Sequence, residues 1–127
     1  MFIKIESASK VRFEKEYSEL LKYFEQNKYE YTFIRDEVSF GDINSDLIAQ
    51  LFFVFESIRS GISYDLLINL VKESIKTIPR EKRKNIYVSV IDGLDGSEYD
   101  ISLDYENENI KIEIPDKLKI AINKWNF

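Results

Sequence analysis

Residues 47 to 55 read LIAQLFFVF, and the fold turns on how this run is read. LFFVF has strand propensity, yet apolar residues on nearly every side from Leu47 to Phe55 describe a helix buried at the centre of a core, and so short a run has no decisive period. The flanks suit a helix. Asn44 or Ser45 can cap its start, and Gly61 followed by Ile62 can close it in a left-handed capping turn. The expectation is therefore a helix over Leu47–Ser60, followed by a second helix capped by Ser63. That second helix carries Tyr64, Leu67, Ile68, Val71, Ile75 and Ile78 at helical spacing and stops at Pro79.

Upstream, FIKIE (Phe2 to Glu6) largely alternates and reads as a strand. From Ser9 the period lengthens. Phe13, Tyr17, Leu20, Leu21 and Phe24 fall on one side of a helix that Ser7 or Ser9 can cap and Asn27 can end. Tyr29 to Arg35 alternates again and predicts a second strand.

Downstream, Asn85–Ile91, Tyr99–Tyr105 and Ile110–Ile114 each alternate, with Ile86, Val88, Val90, Ile101, Leu103, Ile110 and Ile112 facing inward. Their short connections predict an antiparallel meander. Pro115 opens a last helix with Leu118, Ile120, Ala121, Ile122 and Trp125 on its apolar side. The predicted class is α+β: a mixed or antiparallel sheet of 4–5 strands with helices mainly on one face, in the order β-α-β-α-α-β-β-β-α.

Composition narrows the chemistry. The 127 residues suit a single domain, and 44% apolar with 14% aromatic content supplies a core. With no Cys, disulfides, thiolate nucleophiles and cysteine-bearing zinc sites are excluded. With no His, the usual general base and the commonest transition-metal ligand are excluded as well. An enzyme would have to work with carboxylates, Lys, Tyr or hydroxyls. The amino terminus does not read as a signal peptide, and the longest apolar run is too short to span a bilayer, so a cytoplasmic chain without a membrane role is expected.

DGLDGSE, residues 92–98, gathers three acids and two glycines. A calcium loop of the EF-hand kind needs oxygen ligands at positions one, three and five and Gly at six. Placing Gly96 sixth puts Ile91 first, and placing Gly93 sixth puts Val88 first, so neither register works. A cation site on Asp92, Asp95, Glu98 and Asp100 has no spacing to single it out. Two Asp-Gly pairs are turn chemistry, supplying positive φ where the chain reverses.

Two charged stretches are candidate partner-binding sites. Arg80, Lys82, Arg83 and Lys84 form a basic stretch, extended backwards by Lys72 and Lys76. A phosphate contact is one reading. A solvated connector whose cations complement a helix C-terminus is the plainer one, and a net charge of −5 makes nucleic acid an improbable partner. Asp104, Glu106 and Glu108 lie in an acidic stretch from Glu98 to Asp116 that can mate with a basic partner or simply form the wet face of strands. No phosphate-binding glycine motif occurs, and no carboxylate pair stands out among 23 acids. Trp125 and Phe127 can anchor a partner or pin the last helix to the sheet.

The layout as a whole resembles a known family. The first strand and helix, the second strand, DLIAQLFFVFESIRSGISYDLLINLVKESIKTI read as a helical hairpin, the basic REKRK and the hairpin NIYVSVIDGLDGSEYDISLD are similar to the effector-associated constant component domain of bacterial conflict systems, over roughly residues 1–105. The resemblance implies a non-enzymatic adaptor that links an effector to other components through protein contacts. An acidic immunity or anti-defence inhibitor blocking a basic site is the alternative, and a small carboxylate enzyme a third. No cofactor or metal is expected; another protein is the expected partner.

Overall fold

The computed structural model describes residues 1–35, 46–58, 62–105 and 109–123. LIAQLFFVF is not a helix. Ala49–Phe55 is a strand, β3, at the centre of a six-stranded mixed sheet. The chain runs β1 (Phe2–Ser7), α1 (Lys10–Glu16), α2 (Ser18–Gln26), β2 (Glu30–Arg35), β3, α3 (Tyr64–Lys76), a 3-10 helix (Arg80–Asn85), β4 (Ile86–Asp92), β5 (Glu98–Asp104), β6 (Lys111–Glu113) and α4 (Asp116–Asn123). The class is α+β as expected. The strand count and the element order differ from expectation because one predicted helix is a strand, so the expected helical hairpin is a strand followed by a helix.

The strand assignment has a physical cause. Leu51 and Phe53 are fully buried beneath the helices, while Phe52, half-buried, and Val54, buried, alternate onto the other face. A strand with apolar residues on both sides loses its polar alternation and reads as a continuous apolar run. The predicted caps Asn44, Ser45 and Gly61 lie outside the described residues.

The predicted first helix is two. At Tyr17 the backbone leaves helical angles (φ −120°, ψ 34°), dividing α1 from α2, although Phe13, Tyr17, Leu20, Leu21 and Phe24 are all buried as their spacing requires. The Ser9 hydroxyl accepts from the Arg12 N–H, Asn27 ends α2, and the Ser63 hydroxyl accepts from the Leu66 N–H. In α3, Leu70 and Ser74 join the buried side and Tyr64 is exposed. In α4, Leu118 and Ile122 are buried and Ile120 is exposed, contrary to expectation. Trp125 and Phe127 lie outside the described residues.

The strand order is β2-β1-β3-β4-β5-β6. β1 runs parallel to β2 and antiparallel to β3, β3 runs parallel to β4, and β4, β5 and β6 form the expected antiparallel meander. Crossovers between parallel strands are right-handed. β1 and β3 run oppositely, and their crossovers step outward in opposite directions, so both crossings lay their helices on the same face. α2 accordingly touches α3, and one apolar cluster joins Phe24, Val71, Ile75 and Leu118 to Ile5, Leu51, Phe53 and Val90. The other face receives no helix among the described residues.

Candidate functional site: the uncovered sheet face

Alternation decides which side chains this face carries. Ile3 and Ile5 point to the helices, so Phe2, Lys4 and Glu6 point away, and the paired registers extend the rule across the sheet. One row runs Glu30, Phe2, Val54, Ile91, Glu98; the next runs Thr32, Lys4, Phe52, Ser89, Asp100. Gln50 stands beside Tyr87 in a third row. Phe2 is 39% and Tyr87 55% exposed, so the face has large aromatic surface in water. Val54 is 5% and Ser89 1% exposed although both point to this face, so its open area lies around Phe2 and Tyr87 rather than at the middle of β3 and β4.

A polar chain crosses three strands here. Gln50 Nε2 donates to Ser89 Oγ at 2.8 Å, and Ser89 Oγ donates to Asp100 Oδ1 at 2.7 Å. Ser89 is only 1% exposed, so its hydroxyl is satisfied on both sides and braces an exposed carboxylate.

The sheet opens beside that carboxylate. Pairing of β4 with β5 stops at Val88 and Ile101, and β5 pairs with β6 from Ser102 onward. The Ile86 N–H, next in line to reach β5, instead donates to the Arg83 carbonyl at the end of the 3-10 helix. A cleft of about 430 Å³ results, lined by Ile86, Tyr87, Val88 and Lys84 on one side and by Asp100, Ser102, Leu103 and Tyr105 on the other. The Tyr105 hydroxyl is buried without a hydrogen-bond partner among the described residues. Burial pushes it up to about 12, while nearby Arg83 pulls the other way.

Two members of the basic stretch, Arg83 and Lys82, serve the fold. Arg83 Nε donates to the Ile78 carbonyl at 2.9 Å and its Nη2 to the Lys76 carbonyl at 3.3 Å, closing the end of α3. Lys82 sits 3.5 Å from Glu16 and 5.7 Å from the centre of the Tyr17 ring, tying the 3-10 helix to α1. Lys84 is exposed at the cleft rim. Arg80 and Arg83 border a separate recess with Lys72 and Lys76.

Of the acidic candidates, Asp104 lies exposed on β5 beside Lys111 of β6, on the uncovered face with Glu98, Asp100 and Glu113. Glu106 and Glu108 lie outside the described residues. Sequence reasoning missed Gln50 and Ser89. Their only signal was a polar residue interrupting an apolar run, in LIAQLFFVF and in IYVSVI.

The DGLDGSE carboxylates are turn ligands. Asp92 Oδ1 accepts from the Leu94 N–H at 2.9 Å and Asp95 Oδ1 from the Ser97 N–H at 2.8 Å. Of the two glycines in this turn, Gly96 alone has positive φ, +77°. Gly93 answers a different demand, contrary to the expectation of positive φ at both: its N–H donates to the Phe55 carbonyl at 2.6 Å, and a Cβ there would stand 2.8 Å from that oxygen. Among the described residues no three acids gather as metal ligands, and no helix is long and apolar enough to cross a membrane. The chain matches no family model, no curated protein and no solved structure.

Proposed function

We propose that this chain is a protein-interaction module that receives a partner protein on its uncovered sheet face, the partner bringing basic side chains around an apolar centre. The observation that carries the reading is the company Phe2 and Tyr87 keep: large exposed aromatic surface on the same unlayered face as Glu98, Asp100, Asp104 and Glu113. Aromatic residues in a polar rim are the composition of an interface, and the excess of acids over Lys4 and Lys111 on this face favours a partner of the opposite sign. Ser89 supports binding over catalysis, since its hydroxyl is buried and engaged on both sides.

An acidic inhibitor is the second reading, and the same acids favour it. An adaptor function within a conflict system rests on the family resemblance, one component of which, the helical hairpin, is a strand and a helix here.

The test is capture of partners by immobilised chain, compared across variants. Loss of a captured protein on Tyr87→Ala and on the pair Asp104→Lys with Glu113→Lys, with retention on Lys72→Glu at the helical side, supports the face. Equal capture by every variant overturns it. An inhibitor differs from an adaptor by abolishing the captured partner's activity and by steep loss of affinity with salt.

A further inference from the structure

We infer that the cleft where β5 parts from β4 is an anchor pocket for a single arginine side chain of the partner. The inference rests on reading the uncovered face as the docking surface, and it adds what that surface recognises. The cleft, about 430 Å³, falls within the range of sites that enclose a ligand group. Half-buried Leu103 and Tyr105 give it apolar surface, with Ile86 and Val88 buried behind, which suits the methylene stem of a long basic side chain.

The polar groups select the head group. Asp100 lines the cleft with its Oδ1 held by the Ser89 hydroxyl, which Gln50 holds in turn. The brace removes rotamer freedom from the carboxylate and leaves Oδ2 to accept from a ligand. Tyr87 lines the same cleft, two positions before Ser89, the residue that pairs with Asp100. A planar cation can therefore lie on the ring while its N–H groups meet the carboxylate. Guanidinium has both properties; ammonium lacks the plane and the fork. An exposed ion pair alone binds weakly, so the ring and the apolar walls must supply much of the affinity. Lys84 also borders the cleft, two positions before the start of β4, and its charge opposes that of a cationic ligand. The surplus of acid over base in the chain, net −5, favours the approach of a cation.

The test is a titration of the isotope-labelled full chain with L-argininamide, followed by amide chemical shifts. L-citrullinamide, the neutral isostere, and L-lysinamide, the cation without a plane, are the comparison ligands. The expected result is saturable shifts at Tyr87, Ser89 and Ser102, with argininamide binding about tenfold tighter than either comparison ligand. Asp100→Asn, which keeps an acceptor for the Ser89 hydroxyl, should weaken argininamide about tenfold while the spectrum stays folded. No saturable shift, or equal binding of citrullinamide, overturns the pocket. If argininamide fails while capture still depends on Asp104 and Glu113, the pocket falls and the docking face stands. If argininamide binds and every face variant keeps its partner, the arginine site stands and the docking face falls.

Discussion

The Tyr17 hydroxyl donates to the Leu47 carbonyl at 3.2 Å, joining the break between α1 and α2 to the residues that lead into β3. The ring stacks on Phe13 at 4.8 Å and is 2% exposed, so the phenol is fixed at both ends. Burial, aided by the charge of Glu16, pushes Tyr17 up to about 12 from 10.0.

A tyrosine whose pKa rises on folding favours the fold in its neutral form. That contribution is complete below the unfolded value of 10.0 and is lost as pH climbs through about 12. Tyr31 and Tyr105 are also pushed up to about 12, so stability should fall steeply over this window. Tyr17→Phe should cost about 1 kcal/mol at pH 7, by orphaning the Leu47 carbonyl, and should lose less than the parent between pH 10 and 12. Urea melts at neutral and alkaline pH measure both, and identical pH slopes would refute the linkage.

Adjacent phenylalanines in β3 should behave differently. Phe53 is fully buried with its ring edge-to-face to Phe24 at 6.3 Å, whereas Phe52 lies half-buried on the uncovered face. Phe53→Ala should cost about 3–5 kcal/mol and Phe52→Ala only about 1–2 kcal/mol. Denaturant midpoints decide it. Equal losses would contradict a strand.

Most local structure was legible in the sequence because it is written locally. Ser9 and Ser63 cap through bonds to a residue three positions on, and Ile86, Val88 and Val90 alternate against Tyr87 and Ser89. β3 was not legible, because Phe52 and Val54 on its other face are as apolar as Leu51 and Phe53 beneath the helices, which leaves no polar alternation to mark a strand. The acids of the face could be read from β5, where Glu98, Asp100 and Asp104 alternate with Tyr99, Ile101 and Leu103. The brace behind Asp100 could not, since Gln50 and Ser89 meet only once β3 lies beside β4. The cleft depends on the Ile86 N–H turning to the 3-10 helix, which no spacing announces.

The two glycines of the β4–β5 turn should fail for different reasons. Gly96 has open space around a would-be Cβ but a φ of +77°, so Gly96→Ala pays backbone strain of about 1–2 kcal/mol. Gly93→Ala must push its Cβ away from the Phe55 carbonyl, 2.8 Å off, and disturb the 2.6 Å bond that ties the turn to β3, at a cost of about 1–3 kcal/mol. Asparagine tolerates positive φ, so Gly96→Asn should recover much of the first loss, while Gly93→Asn should be no better than alanine. Thermal melts of the four variants test this, and rescue at both positions would show that both need conformational freedom only.

The basic stretch should divide into structural and dispensable members. Arg83 closes α3 through the Ile78 and Lys76 carbonyls, at the end of a helix where a cation is also favoured by the aligned peptide dipoles. Arg83→Ala should therefore cost about 1–2 kcal/mol, and Arg83→Lys should restore only part, since an ammonium cannot present the two-armed fork that spans both carbonyls. Lys84 touches no such group and is exposed, so Lys84→Ala should stay within about 0.5 kcal/mol. If the segment were chiefly a docking site, the order would invert: Arg83→Ala would leave the melt untouched and remove the partner. Melting and partner capture run side by side on the three variants separate the two roles.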